Sequence, residues 1–207
     1  MMHVDPKPEP VDFDSGVRAP GNQFLAATPN PTTEQWASRD YWTRVGGEMH
    51  KCYSGICMYS CHWIPYDTGS RTIEHFKPKN AYPSEAYEWS NYRLVCGTLN
   101  GRKSKHEDVL DPFVVKNGMF VIAFTSMLVK PSRSNSITSS DRAAVQATID
   151  RLGLNDEGTC LKARCNFVNL YCQGHVDFEY LEKDAPFIAH ELKRQGLKSK
   201  IKAMWLS

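Results

Sequence analysis

Short stretches of β-branched and aromatic residues, each cut off within a few positions by a turn signal, fill residues 56–113, with helical periodicity on both sides. The pattern reads as an α+β chain, with short strands in this stretch and helices on both sides. The turn signals are Tyr66-Asp67-Thr68-Gly69, Pro78 and Pro83, and Asp111-Pro112 closes the region. One strand is expected to end near Ile73-Glu74-His75-Phe76, a second to cover 88–95, and a short helix to cover 97–105. Residues 119–129 read as a strand pair or as one long strand. They are too few, and too interrupted by Thr125 and Ser126, to cross a membrane.

Thr32-Thr33-Glu34-Gln35 has the form of a capping box, and Trp42, Val45, Met49 and Tyr53 recur at helical spacing behind it. A helix over 33–52, bent at Gly46-Gly47, follows. Toward the C-terminus, Asp141 is expected to cap a helix carrying Val145, Ile149 and Leu152 that Gly153 stops. Further helices are expected over 156–172 and from Pro186 to Gly196, with Cys160, Cys165 and Cys172 as packing residues. Residues 1–31 hold six prolines, so they read as an extended arm, with Phe13, Phe24 and Leu25 as anchors, or as a plain tail. The expected organisation is this arm followed by one domain over 32–207. Within that domain, 52–113 forms a hairpin-and-helix core and 114–207 a strand-containing helical part.

A chain of 207 residues that is 41% apolar can build a core without disulfides. The cysteine count is seven, an odd number, and no basic region leads an apolar run at the N-terminus, so a reduced, cytoplasmic thiol set is expected. Bulk net charge is only +2, which by itself gives no reason to expect a nucleic-acid partner. Its distribution does. Between Arg71 and Lys105 seven basic residues face three acidic ones, a local charge of +4. Lys77, Lys79, Arg93, Arg102 and Lys105 are candidate backbone contacts there. Tyr82, Tyr87, Trp89 and Tyr92 interleave them, Trp89 reading as core. A second basic run, Lys193 to Lys202, contains no acid and reads as a solvated face or a further backbone contact.

The chemistry is concentrated in Thr72-Ile73-Glu74-His75-Phe76-Lys77-Pro78-Lys79, then Glu88-Trp89-Ser90-Asn91, then Asn100-Gly101-Arg102-Lys103. Histidine is the natural general base near neutral pH. Glutamate and an asparagine carbonyl are hard oxygen ligands for a divalent cation, which would polarise a phosphoryl oxygen. Taken singly, the Glu-His pair is equally a satisfied polar pair, and the asparagines are equally turn and cap residues.

Taken together, strand, loop, strand and helix carrying His, Asn and Asn, the two asparagines nine apart, resemble the HNH nuclease module. Glu-His-Phe-x-Pro-Lys, Glu-Trp-x-Asn and Asn-x-x-Lys resemble the branch found with an ATPase in Septu and retron-type anti-phage systems. The resemblance is detailed over 52–113, where Cys57-x3-Cys61 and Asp111-Pro112-Phe113 also agree. It implies a ββα-metal core and metal-dependent phosphodiester hydrolysis. His75 would be the general base, with Glu74 and Asn100 holding Mg²⁺ or Mn²⁺. Asn91 would fix the loop and Lys103 would touch phosphate, with Arg102 as a second candidate. It also implies a nucleic-acid substrate and an ATPase partner. A non-catalytic subunit that binds nucleic acid or a partner is the alternative. The zinc ribbon common in such proteins is incomplete here, because Leu99 stands where the fourth thiolate would be. Cys57, Cys61 and Cys96 remain as candidate structural zinc ligands, with Cys52 or His62 as a fourth.

Overall fold

The computed structural model describes residues 1–68 and 70–206, so Gly69 of the expected turn lies outside the described residues. These residues divide into two compact units. One comprises Asp5–Gly55 and Ile64–Glu107; the other comprises Met1–Val4, Ile56–Trp63 and the chain from Asp108 onward.

The first unit carries the hairpin. Strands β1 (Arg71–His75) and β2 (Tyr92–Cys96) pair antiparallel, with Glu74 opposite Arg93 and His75 opposite Tyr92. A helix, Gly97–Lys103, follows β2 directly. The second strand starts later than its composition suggests, because Trp89–Asn91 coil into a 3₁₀ turn. The cause is Asn91, whose side chain bonds the other limb of the loop. Its Oδ1 accepts from Lys77 N at 2.7 Å, and its Nδ2 donates to the Lys77 and Glu85 carbonyls at 3.0 Å each. The helix after β2 stops at Lys103, since Ser104 takes a positive φ of 46°.

The N-terminal segment departs most from expectation. Only its first part is extended. Phe13 is fully buried and packs edge-on against Trp89 and Tyr92. A π-helical turn, Asp14–Arg18, then leads into α1, Ala19–Ala27. Pro20 does not prevent this, because in the first turn its missing N–H has no intrahelical partner to lose. Arg18 ties the segment down through ion pairs to Glu88 (3.0 Å), Asp14 (3.2 Å) and Glu9. Gly21 is required by proximity: a Cβ there would lie 2.2–2.6 Å from ring carbons of Tyr87. Gly21→Ala is expected to cost about 1–3 kcal/mol by overpacking. Thermal denaturation checks it, and an unchanged melting temperature would show that the Tyr87 ring is free to retreat.

The expected helix over 33–52 is three pieces: α2 (Thr33–Ala37), a 3₁₀ turn (Tyr41–Val45) and α3 (Gly46–Cys52). Thr32 and Gln35 do form the reciprocal capping box. The break falls at 38–40 rather than at the glycines, where the Ser38 hydroxyl bonds back to the Gln35 carbonyl at 2.9 Å and competes with the helical ladder. The pieces bring Trp36 and Trp42 against Tyr87, with ring centroids 6.0 and 5.8 Å away. The helix after β2 is therefore α4.

In the second unit, residues 119–129 resolve as part of a strand pair, β3 (Phe120–Ala123) antiparallel to β4 (Leu128–Pro131). Helix α5 (Ser139–Leu152) is capped by Thr138. Asp141, expected at the cap, instead occupies the reciprocal position of the capping box. Gly153 ends it in the left-handed conformation. Helices α6 (Cys160–Cys172), α7 (Phe178–Asp184), α8 (Pro186–Arg194) and α9 (Ile201–Leu206) follow. Much of the basic run there is engaged. Lys193 pairs with Glu182 and Arg194 with buried Glu191, while Lys198 and Lys202 lie over Phe178 and Tyr171. Among the described residues no helix is long and apolar enough to cross a membrane.

Candidate functional site

The end of β1, the turn after it and one face of α4 enclose a cavity of about 340 Å³. Glu74, His75, Lys79, Asn100 and Lys105 line it, with Trp42 closing one side. Strand β1 delivers Glu74 and His75, and α4, entered directly from β2, turns Asn100 toward them.

His75 is 8% exposed. Its Nε2 lies 2.9 Å from the Ala86 carbonyl, which can only accept, so Nε2 carries the proton and Nδ1 is left as the acceptor of the neutral ring. Burial holds the imidazole down to about 3, with the charges of Lys79 and Lys103 acting in the same direction and the Ala86 bond opposing them. Trp42 packs edge-on at 4.7 Å and Tyr92 at 5.3 Å, which fixes the ring plane.

The orientation of Asn100 follows from its neighbour. The Thr72 hydroxyl donates to the Val95 carbonyl at 2.7 Å, so it can only accept from the Asn100 amide, 2.9 Å away. Nδ2 therefore faces Thr72, leaving the carbonyl oxygen as the group Asn100 can present as a hard ligand.

Lys103, expected to touch phosphate, does not line the cavity. It is fully buried beneath the site, and its ammonium meets three acceptors: Glu74 Oε1 at 2.8 Å and the carbonyls of His75 and Phe76 at 3.0 and 2.6 Å. Three protons serve three oxygens, so none remains for a phosphate. Burial pushes the Glu74 carboxyl up to about 7 against the pull of this ammonium.

The other basic candidates separate in the same way. Lys79 and Lys105 line the cavity, whereas Lys77, Arg93 and Arg102 do not. Exposed Lys77 pairs with Glu85 at 2.8 Å. Arg93 is buried and donates to the Ser90 and Tyr92 carbonyls, so it cannot be a backbone contact. Arg102 is half-buried. Of the interleaved aromatics, Tyr87, Trp89 and Tyr92 belong to the core and only Tyr82 is exposed. Asn91 lies behind the loop and, with its three bonds directed into it, does not face the cavity.

Cys57 and Cys61 are buried in the unit holding β3 and β4, while Cys96 ends β2 in the other unit. Among the described residues no three His, Cys, Asp or Glu side chains are grouped to hold a metal ion, so no closed zinc set exists among them. Trp42, Thr72 and the Ala86 carbonyl all shape the site and were not singled out for it in the sequence. Thr72 alone had a local signal, lying two residues before Glu74 on a strand, where alternate side chains share a face.

No protein-family model matches the chain. Over 58 residues it is 29% identical to Septu protein PtuB of Bacillus thuringiensis, a stretch covering 28% of this chain and 23% of that protein. The chain thus spans about a quarter of the length of the curated relative it matches.

Proposed function

We propose that this protein is a metal-dependent nuclease of the HNH type, acting as the cutting subunit of a Septu-like anti-phage system together with an ATPase partner. The observation that carries the reading is the cavity itself. A neutral histidine with an unprotonated Nδ1 shares it with the Glu74 carboxyl and with Asn100, whose amide nitrogen is engaged by Thr72. The likeness to Septu protein PtuB supports the defence context.

The residues fit a hard divalent ion such as Mg²⁺, which takes few protein oxygens and keeps several waters. Glu74 and Asn100 would hold it. When bound, such an ion would polarise a phosphoryl oxygen and stabilise the departing alkoxide. His75 Nδ1 takes a proton from water, the water oxygen bonds to phosphorus, and the bond from phosphorus to the leaving sugar oxygen breaks. A phosphodiester anion in the cavity favours the protonated ring, lifting the low basicity that burial imposes. The imidazolium is then held by its Nε2–H bond to Ala86. Asn91 keeps the loop and hence this carbonyl in place.

Incubation of the purified protein, with and without its ATPase partner, on single- and double-stranded DNA and RNA is the direct test. Cleavage is expected with Mg²⁺ or Mn²⁺, is expected to stop on chelation and to return when metal is restored. Failure to cut any of these under all metal conditions would refute catalysis. A non-catalytic binding subunit draws on a separate observation, the ion pair that Glu74 already makes with Lys103. That reading expects no Mn²⁺ binding by calorimetry, whereas the nuclease reading expects binding that weakens in Asn100→Ala.

A further inference from the structure

With Lys103 occupied, the phosphate contact of the proposed nuclease falls to another residue. We propose that Lys79 is the catalytic cation of this site, its ammonium holding a non-bridging oxygen of the scissile phosphate as water adds to phosphorus. This rests on the nuclease reading above and names a residue that reading leaves open.

Three observations single out Lys79. It lines the cavity beside His75, Glu74 and Asn100, so a phosphate reached by water on His75 Nδ1 is within the same small volume. Among the described residues its ammonium has no hydrogen-bond or ion-pair partner, while Lys77 is paired with Glu85 and Lys103 with Glu74. Its Nζ lies 5.1 Å from the centroid of the Trp42 ring, the same ring that packs on His75, so cation and base share one rigid support.

The backbone beneath Lys79 is also held. Pro78 is buried, and its carbonyl accepts from Ala81 N at 3.0 Å and Tyr82 N at 2.9 Å, closing a tight turn around the lysine. Partial burial withdraws the ammonium from water and lowers its proton affinity, which leaves the charge in surroundings where it acts more strongly on an anion. Lys105, the other cavity lysine, is exposed and meets the backbone in bulk dielectric. Beside the Glu74–Lys103 ion pair, the two lysines make the cavity net cationic. That suits a phosphodiester rather than a neutral ligand.

Single-turnover cleavage of a fluorescein-labelled oligonucleotide cut by the wild type, alongside its affinity measured by anisotropy in chelator, separates the roles. Lys79→Met keeps the apolar stem over Trp42 and removes the charge; Lys79→Arg keeps a cation. Lys79→Met is expected to slow the chemical step about 10²- to 10³-fold, as loss of one preorganised charge-stabilising group does. Its affinity should change less than about fivefold, its melting temperature should hold, and Lys79→Arg should recover part of the rate. A Lys79→Met rate within about threefold of wild type overturns the assignment, as does a loss found wholly in affinity. Those outcomes leave the nuclease reading standing, whereas absence of cleavage by the wild type removes both.

Discussion

Replacing His75 by alanine is expected to slow cleavage about 10²- to 10⁴-fold, the range contributed by a positioned general base. The surroundings of the ring, and not the residue type alone, set this expectation. The Ala86 carbonyl occupies Nε2, so the proton acceptor is Nδ1, and the ring already has its base form at neutral pH because burial holds it near 3. ¹⁵N NMR of the imidazole is expected to show the Nε2–H tautomer with no titration from pH 8 to pH 5. A ring that titrates near 6.5, or carries its proton on Nδ1, would contradict this account. The substitution also removes packing against Trp42 and Tyr92, so circular dichroism must establish that the variant remains folded. Nucleic-acid binding is expected to persist, since the cavity lysines are untouched.

Lys103→Met is expected to destabilise the protein by about 3–5 kcal/mol, measured by urea denaturation. The side chain is fully buried, and its loss leaves the Glu74 carboxylate and two carbonyls without their donor. The penalty depends on pH in a definite direction. Without the ammonium, Glu74 avoids a buried charge by keeping its proton, so its folded value rises further above the unfolded one. Such a group favours the folded state in acid and loses that contribution as pH rises through neutrality. Lys103→Met should therefore be closer to wild type at pH 5 than at pH 8, and Lys103→Met with Glu74→Gln should recover stability at pH 8. A loss independent of pH would mean that the His75 and Phe76 carbonyls left without a donor, rather than the Glu74 charge, set the penalty.

The order of elements around the site was largely legible in the sequence. Alternating β-branched and aromatic residues bounded by Pro78 and Pro83 mark a hairpin, and Gly97 onward marks a short helix, because both periodicities are local properties of the chain. The Thr32–Gln35 capping box was legible for the same reason. Where long-range packing competes with local pattern, the reading failed. The start of β2 moved because Asn91 bonds across the loop, and the proline-bearing segment coils because Phe13 and Gly21 find partners in Trp89 and Tyr87, far along the chain.

The candidate site residues divide along the same line. From the sequence come only candidates: Glu74, His75, Asn91 and Asn100 through their resemblance to the HNH module, and a surplus of nearby cations from the local charge count. Only the tertiary structure decided where each side chain lies and what it bonds. Spacing places Lys103 on the face of Asn100 and cannot report that three oxygens await it below the surface, while Lys79, indistinguishable in sequence from its neighbours, lies over Trp42 in the cavity with no hydrogen-bond or ion-pair partner among the described residues. The physical reason is that a lysine's role depends on the acceptors within about 3 Å of its ammonium. Those acceptors, here the carbonyls of His75 and Phe76 and the carboxylate of Glu74, are brought together by folding rather than by adjacency in the chain.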